Sequence, residues 1–264
     1  MTESWEEFEI LDHPSLLNFI FYPRRELFPA TDSERVKSIA LPVEEGISIS
    51  CHFFIGNKSD PNILFFHGNG EVAAEYLDIG EALNGIGVNL FVADYRGYGG
   101  SGGKPTISRM IKDAHSIFRG FKLKLEENGF TGSRFIMGRS LGSASAIELA
   151  SSYPGDIKGI IIESGFCDVS DLLSRIGISL KMPGGEKYFS PGFDRVRKIK
   201  LPVLIVHGEW DSIVPLAEGE KIYNNIGSAD KKMLVIDGAD HNTIFMVGME
   251  QYLAALDDFI KKNK

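Results

Sequence analysis

The chain has 264 residues, with 28 Lys plus Arg against 36 Asp plus Glu, a formal net charge of −8. A hydrophobic share of 43% with 24% charged residues is globular usage and excludes wholesale disorder. The acidic balance argues against a nucleic-acid partner, which needs a basic face to neutralise phosphates.

Cys51 and Cys167 are the two cysteines, too few for a disulfide framework or a thiolate zinc site. They read as small buried apolar side chains. The first ten residues include Glu3, Glu6, Glu7 and Glu9, the opposite of the basic start of a secretory signal. The apolar stretch Leu16–Tyr22 is far shorter than the roughly 20 residues that span a bilayer, and no other run reaches that length. The expectation is a cytoplasmic protein without an integral membrane segment.

No repeat or low-complexity linker divides the chain, which reads as an N-terminal arm (1–35) followed by one domain (36–264). Two strands are predicted first, Val36–Ala40 and Ile47–Phe54, joined by a turn at Glu44-Glu45-Gly46. Six further apolar runs follow: Asn62–Phe66, Asn89–Ala93, Phe135–Met137, Gly159–Ile162, Val203–Val206 and Met233–Ile236. They lack alternation, as strands buried on both faces of a parallel sheet do. Helical spacing marks Glu71–Leu83, Thr106–Leu125, Ser140–Ser152, Val169–Leu180, Leu216–Ile226 and Thr243–Phe259. Alternation of this kind predicts an α/β fold, an eight-stranded and mostly parallel sheet with helices on both faces.

Ligands of such sheets bind beyond the carboxyl ends of the strands, so the residues ending each run matter most. They are His67-Gly68-Asn69-Gly70, Asp94-Tyr95-Arg96-Gly97, Gly138-Arg139-Ser140-Leu141-Gly142, Glu163-Ser164-Gly165, His207-Gly208-Glu209-Trp210-Asp211 and Gly238-Ala239-Asp240-His241. The third fits G-x-S-x-G between an apolar run and a helix rich in small residues, which is how a sharp turn lifts a serine hydroxyl out of a sheet. The flanking glycines suit a place where backbones approach closely. A second match, Gly99-Gly100-Ser101-Gly102-Gly103, has no apolar run leading directly into it and is followed by Lys104-Pro105, so Ser101 reads as a loop residue. The stretch Gly97–Gly102 also fits G-x-G-x-x-G. It lacks an acidic residue ending a following strand about 20 residues on, which excludes a dinucleotide reading.

Ser140 needs a base, and imidazole serves near neutral pH. His13, His52 and His115 lie in the arm, a strand and a helical segment, and read as structural. His67, His207 and His241 lie at strand ends. His241 precedes the last amphipathic helix, where its ring can swing over a nucleophile. A carboxylate must then fix the imidazole, and Asp211 fits best, with Glu163 the main alternative and Asp240 a weaker one. The Leu141 N–H is the expected oxyanion donor, joined by one from the loop after Phe66, most plausibly Asn69. His67 reads as a brace for that loop.

Taken together, His67–Gly70, Asp94–Ser101, Gly138–Gly142, His207–Asp211 with Val214-Pro215, and Gly238–His241 resemble the α/β-hydrolase superfamily from about Val36 onward. Within it the chain is similar to the small-lidded branch of serine-aminopeptidase-like hydrolases and abhydrolase-domain depalmitoylases. The resemblance implies a Ser140/Asp211/His241 triad, a structural role for Asp94–Gly99 and a small cap at about 165–200. It also implies hydrolysis of a small-molecule acyl substrate, an ester, thioester or amide, without cofactor or metal. Leu172, Leu173, Ile176, Leu180, Met182, Phe189 and Phe193 in the cap interval either dock the cap or line an acyl pocket, docking being the simpler reading. The run Arg195–Lys200 reads as a solvated surface stretch rather than an anion site.

Overall fold

A computed structural model describes residues 6–25, 33–168 and 192–264. Eight strands form one sheet: β1 (Val36–Glu44), β2 (Ile47–Phe54), β3 (Asn62–Phe66), β4 (Asn89–Ala93), β5 (Arg134–Arg139), β6 (Ile160–Glu163), β7 (Val203–Gly208) and β8 (Lys231–Ile236). Their spatial order is β1-β2-β4-β3-β5-β6-β7-β8. β1 pairs antiparallel with β2, and β2 with β4; the other pairings are parallel. The two antiparallel pairings share β2, and the β1–β2 hairpin turn holds Gly46 at φ +71, a conformation that costs glycine little.

Period two explains the core. Successive side chains of a strand point to opposite faces, and the buried residues divide accordingly. Leu64, Phe66, Phe91, Ala93, Ile136, Ile160 and Ile162 pack on one face against Phe118 and Phe121 of α4 (Ile107–Glu127) and Ala146 and Ile147 of α5 (Gly142–Ser152). Ile63, Phe65, Leu90, Val92, Phe135, Met137 and Ile161 pack on the other, against Leu83 of α3 (Leu77–Gly85) and Leu256 and Phe259 of the last helix (Ile244–Asn263). Burying one such side chain contributes about 1.5–3 kcal/mol. Truncating fully buried Phe65 to Ala would cost about 3–5 kcal/mol.

Local signals fix where α4 starts and stops. The Thr106 hydroxyl accepts the Arg109 N–H at 3.2 Å, supplying an N-terminal cap. Gly129, at φ +71, follows its end, where a left-handed residue terminates a helix. The N-terminal segment contains α1 (Glu6–Glu9) and α2 (Pro14–Ile20), and Phe8, Leu11 and Phe21 are buried in the same apolar layer as α4 and α5.

A helix not anticipated from the sequence, α6 (Gly192–Lys198), precedes β7. It corrects the reading of Arg195–Lys200 as merely solvated. Val196 and Ile199 are fully buried, Arg195 pairs with Glu148 and lies 4.7 Å from the Phe8 ring centroid, and Lys200 donates to the Gly227 carbonyl at 3.1 Å. Charged side chains dominate the one-dimensional pattern here, while two buried apolar residues decide the packing. Phe193 is half-buried against the same layer. The predicted helix Val169–Leu180 and the residues Leu172, Leu173, Ile176, Leu180, Met182 and Phe189 lie outside the described residues. Two further helices, α7 (Leu216–Asn225) and α8 (Ile244–Asn263), complete the described elements. No helix among the described residues is long and apolar enough to cross a membrane.

Candidate active site

The parallel register carries the carboxyl ends of β3 to β8 to one edge of the sheet, and there the candidate residues gather. Ser140 follows β5 at φ +50, rare for a residue with a Cβ. The turn is held by the Ser140 N–H donating to the Glu163 carbonyl at 2.9 Å and the Ser143 hydroxyl donating to the Ser140 carbonyl at 2.6 Å. Both flanking glycines are sterically required. A Cβ on Gly138 would lie 2.4 Å from the Gly142 carbonyl oxygen, and one on Gly142 would lie 2.0 Å from the Phe66 carbonyl oxygen.

Ser140, His241 and Asp211 are all buried and form a chain of hydrogen bonds. His241 Nε2 lies 3.1 Å from Ser140 Oγ, and Nδ1 lies 2.7 Å from Asp211 Oδ2. Burial opposes charge on Asp211. The hydrogen bond and charge of His241, then the Val214 N–H, outweigh that and hold its carboxyl below the ordinary carboxylate range. An ionised carboxylate only accepts, so Nδ1 of His241 carries a proton; in the neutral ring Nε2 then presents a lone pair to the serine hydroxyl. The other carboxylate oxygen accepts from the amides of Ile213 at 3.0 Å and Val214 at 2.8 Å, which fixes its orientation. The two loops are joined by the Trp210 N–H donating to the Ala239 carbonyl at 2.9 Å.

The other candidate carboxylates are engaged elsewhere. Glu163 accepts from Arg139 Nε at 2.9 Å and the Tyr252 hydroxyl at 2.7 Å. Asp240 accepts from the Asn242 N–H and the Thr243 hydroxyl, each at 2.9 Å. His207 donates from Nε2 to the Val214 carbonyl at 2.8 Å and lies 3.5 Å from Asp211. Burial pushes its pKa down against the opposing pull of the Val214 bond and Asp211. His207 is thus a neutral prop beneath the aspartate loop.

Leu141 follows Ser140 directly, and Asn69 lies in the loop after β3. The Gly68 N–H is taken by Glu71 at 2.6 Å, whereas the amides of Asn69 and Leu141 have no acceptor among the described residues. The Asn69 side chain is engaged at both ends: it donates to the Ile20 carbonyl at 2.7 Å and accepts from the Tyr22 N–H at 2.9 Å and the Tyr98 hydroxyl at 2.6 Å. His67 and Asp94 are fully buried, with Nε2 3.2 Å from Oδ1. His67 Nδ1 faces the Gly68 carbonyl at 2.8 Å and so must carry a proton. The pair braces the loop. His115 bonds Tyr153 at 2.8 Å and Glu148 at 3.3 Å, and His13 accepts the Ser15 N–H at 3.3 Å as a helix cap. Both are remote from Ser140 in the fold.

Reading by motif missed three contributors: Tyr22 and Tyr98, which pin the Asn69 loop, and Arg139, whose guanidinium reaches the His241 loop. The available signal was Arg139 itself, a charge that follows the apolar run Phe135–Met137 after Gly138 and directly precedes the serine.

Comparison with known proteins is consistent with this arrangement. The family model for serine aminopeptidase, S33, matches residues 57–183 and 193–246. Alpha/beta hydrolase domain-containing protein 17C of Xenopus tropicalis is 29% identical over 249 residues, 90% of this chain and 72% of that protein. The human 17B protein is 26% identical over 248 residues, covering 89% and 78% respectively. Among solved structures, an esterase of Pyrococcus furiosus superposes with a TM-score of 0.72 at 22% identity, over 91% of this chain and 98% of that one. A monoacylglycerol lipase of Paleococcus ferrophilus gives a TM-score of 0.60 at 22% identity, over 82% and 99%.

Proposed function

Because this chain belongs to the serine aminopeptidase S33 family of α/β-hydrolases, we propose that it is a serine hydrolase that cleaves a carboxylic ester or thioester through an acyl-enzyme. The observation that carries the reading is the unbroken chain from Ser140 Oγ through His241 to Asp211, at 3.1 and 2.7 Å.

Ser140 Oγ attacks the acyl carbonyl carbon as its proton passes to His241 Nε2. The Asp211 carboxylate, already ionised, stabilises the imidazolium that results. Negative charge develops on the former carbonyl oxygen and is met by the amides of Asn69 and Leu141, with the positive end of α5 behind them. When the intermediate collapses, the bond to the leaving group breaks and His241 returns the proton to it. A water deprotonated by His241 then attacks the acyl carbon, and the acid departs with Ser140 restored. Nothing in these steps draws on a cofactor. The substrate is a small acyl compound, and an acidic surface of net charge −8 offers no attraction to nucleic acid.

The test is covalent labelling by a fluorophosphonate together with turnover of nitrophenyl esters, acyl thioesters and aminoacyl anilides, with Ser140→Ala as the control. Labelling and ester or thioester turnover that vanish together in the variant are expected. Parental turnover in Ser140→Ala would overturn the reading. The description of the matched family supports an aminopeptidase as the second reading; preferential release of the arylamine from an aminoacyl anilide would select it over the esterase.

A further inference from the structure

We propose that Arg139 is a positioning residue that clamps the His241 loop to the Asn69 loop across the floor of the site, an inference that rests on the serine-hydrolase reading above. Arg139 is the last residue of β5, directly before Ser140, and its side chain is 11% exposed. Each part of the guanidinium is committed to a different segment. Nε donates to Glu163 Oε1 at 2.9 Å. One terminal nitrogen donates to Glu71 Oε1. The other donates to the backbone carbonyl of His241 itself at 2.6 Å and approaches Asn242 Oδ1 at 3.4 Å.

The two carboxylates extend the clamp. Glu71 also accepts the Gly68 N–H at 2.6 Å and the Tyr76 hydroxyl at 2.5 Å. Its grip therefore ends one residue before the amide assigned to the oxyanion. Glu163 lies directly opposite Arg139 in the β5–β6 register, and its second oxygen accepts the Tyr252 hydroxyl of α8 at 2.7 Å. One cation thus ties β5, β6, the Asn69 loop, the His241 loop and α8 together. Gly68 makes room for it, since a Cβ there would lie 2.6 Å from an Arg139 terminal nitrogen and 2.8 Å from Glu71 Oε1.

Two physical points raise this above an ordinary buried ion pair. Three divergent bonds need the planar fork of arginine; a lysine ammonium offers its donors at one point and cannot span them. The clamp also lines a cavity of about 190 Å³ together with His241, Asn242 and Phe245. On that side a void, rather than close packing, faces the His241 loop. Without the carbonyl bond the loop has room to shift, and a displacement of the order of 1 Å at a reacting group costs roughly 10²-fold in rate.

The experiment compares parent, Arg139→Lys, Arg139→Gln and Glu71→Gln by amide hydrogen exchange and by ester kinetics. In both Arg139 variants, exchange over 238–245 and 67–72 is expected to accelerate while β3 and β4 stay protected. The same variants should lose roughly 10²-fold in kcat with KM little changed, and lysine should not rescue. Glu71→Gln should loosen 67–72 alone, and it serves as the folded variant should the Arg139 substitutions not fold. Unchanged exchange in both loops, or loss spread evenly over the chain with parental kcat in the folded fraction, would overturn the clamp. Should the loops loosen as expected in the Arg139 variants while the parent itself neither turns over esters nor takes the fluorophosphonate, the clamp stands and the hydrolase reading falls.

Discussion

Residues 99–103 and 138–142 share the pattern G-x-S-x-G, yet the two serines meet opposite environments. Ser140 stands on a strand-to-helix turn at φ +50 with an imidazole nitrogen 3.1 Å from its hydroxyl. Ser101 is buried in a loop, where its hydroxyl accepts the Ser50 N–H at 2.9 Å and its carbonyl accepts from Arg25 at 2.7 Å. The glycines differ in the same way. A Cβ on Gly142 would collide with the backbone of β3 at 2.0 Å, whereas one on its counterpart Gly103 would come no closer than 3.3 Å, to the side chain of Arg96. The pattern is shared because both places need small residues. Only one of them is fed by a strand and followed by a helix, and that context turns a hydroxyl into a candidate nucleophile.

The widest separation between the two segments is expected in turnover. Ser140→Ala should lose roughly 10³–10⁶-fold in kcat, while Ser101→Ala keeps near-parental kcat. The reverse pattern in an ester assay would exchange their roles. Asp211→Asn follows, with a loss on the order of 10⁴-fold in kcat, because an amide at that position no longer enforces the Nδ1–H tautomer of His241.

Stability separates the glycines. Gly142→Ala should cost about 3 kcal/mol or more, since the collision is with backbone that cannot turn aside. Gly103→Ala should cost less, about 1–2 kcal/mol, the strain of a Cβ at φ +73 beside a side chain that can shift. Denaturant midpoints at constant slope read both; equal costs would mean the two turns are equivalent after all. Ser101→Ala should lose about 1–3 kcal/mol, the cost of leaving the Ser50 amide without its acceptor, so that Ser101 matters for folding where Ser140 matters for chemistry.

The smallest effect is in pH. Asp211 is held below its ordinary pKa, with burial opposing and the His241 interaction and Val214 amide prevailing. A depressed carboxylate stabilises the fold fully above its unfolded pKa, about 4, and loses that contribution as pH falls through the lower folded value. The stability gap between the parent and Asp211→Asn should therefore be largest near neutrality and shrink below about pH 4. A gap independent of pH in denaturant titrations would show that the Asp211 charge does not stabilise the fold.

Much of the fold was legible because a buried parallel strand has to be apolar throughout, and six such runs stand out between helical segments. Boundaries were less so: β5 continues through Arg134 and Arg139 and β8 begins at Lys231, charges that a hydropathy pattern clips off. Helix α6 escaped because its basic residues mask the buried pair Val196 and Ile199.

The sequence by itself determined which chemical groups are available and, through strand–helix alternation, that they would stand at one sheet edge, because side-chain period and hydropathy are local properties of the chain. Only the tertiary structure decided that Asp211, rather than Glu163 or Asp240, meets His241, and that Arg139 bridges the His241 and Asn69 loops. Those outcomes depend on distances of a few ångströms between residues up to 102 positions apart, and such distances are set by how strands register and loops pack, which a linear pattern does not encode.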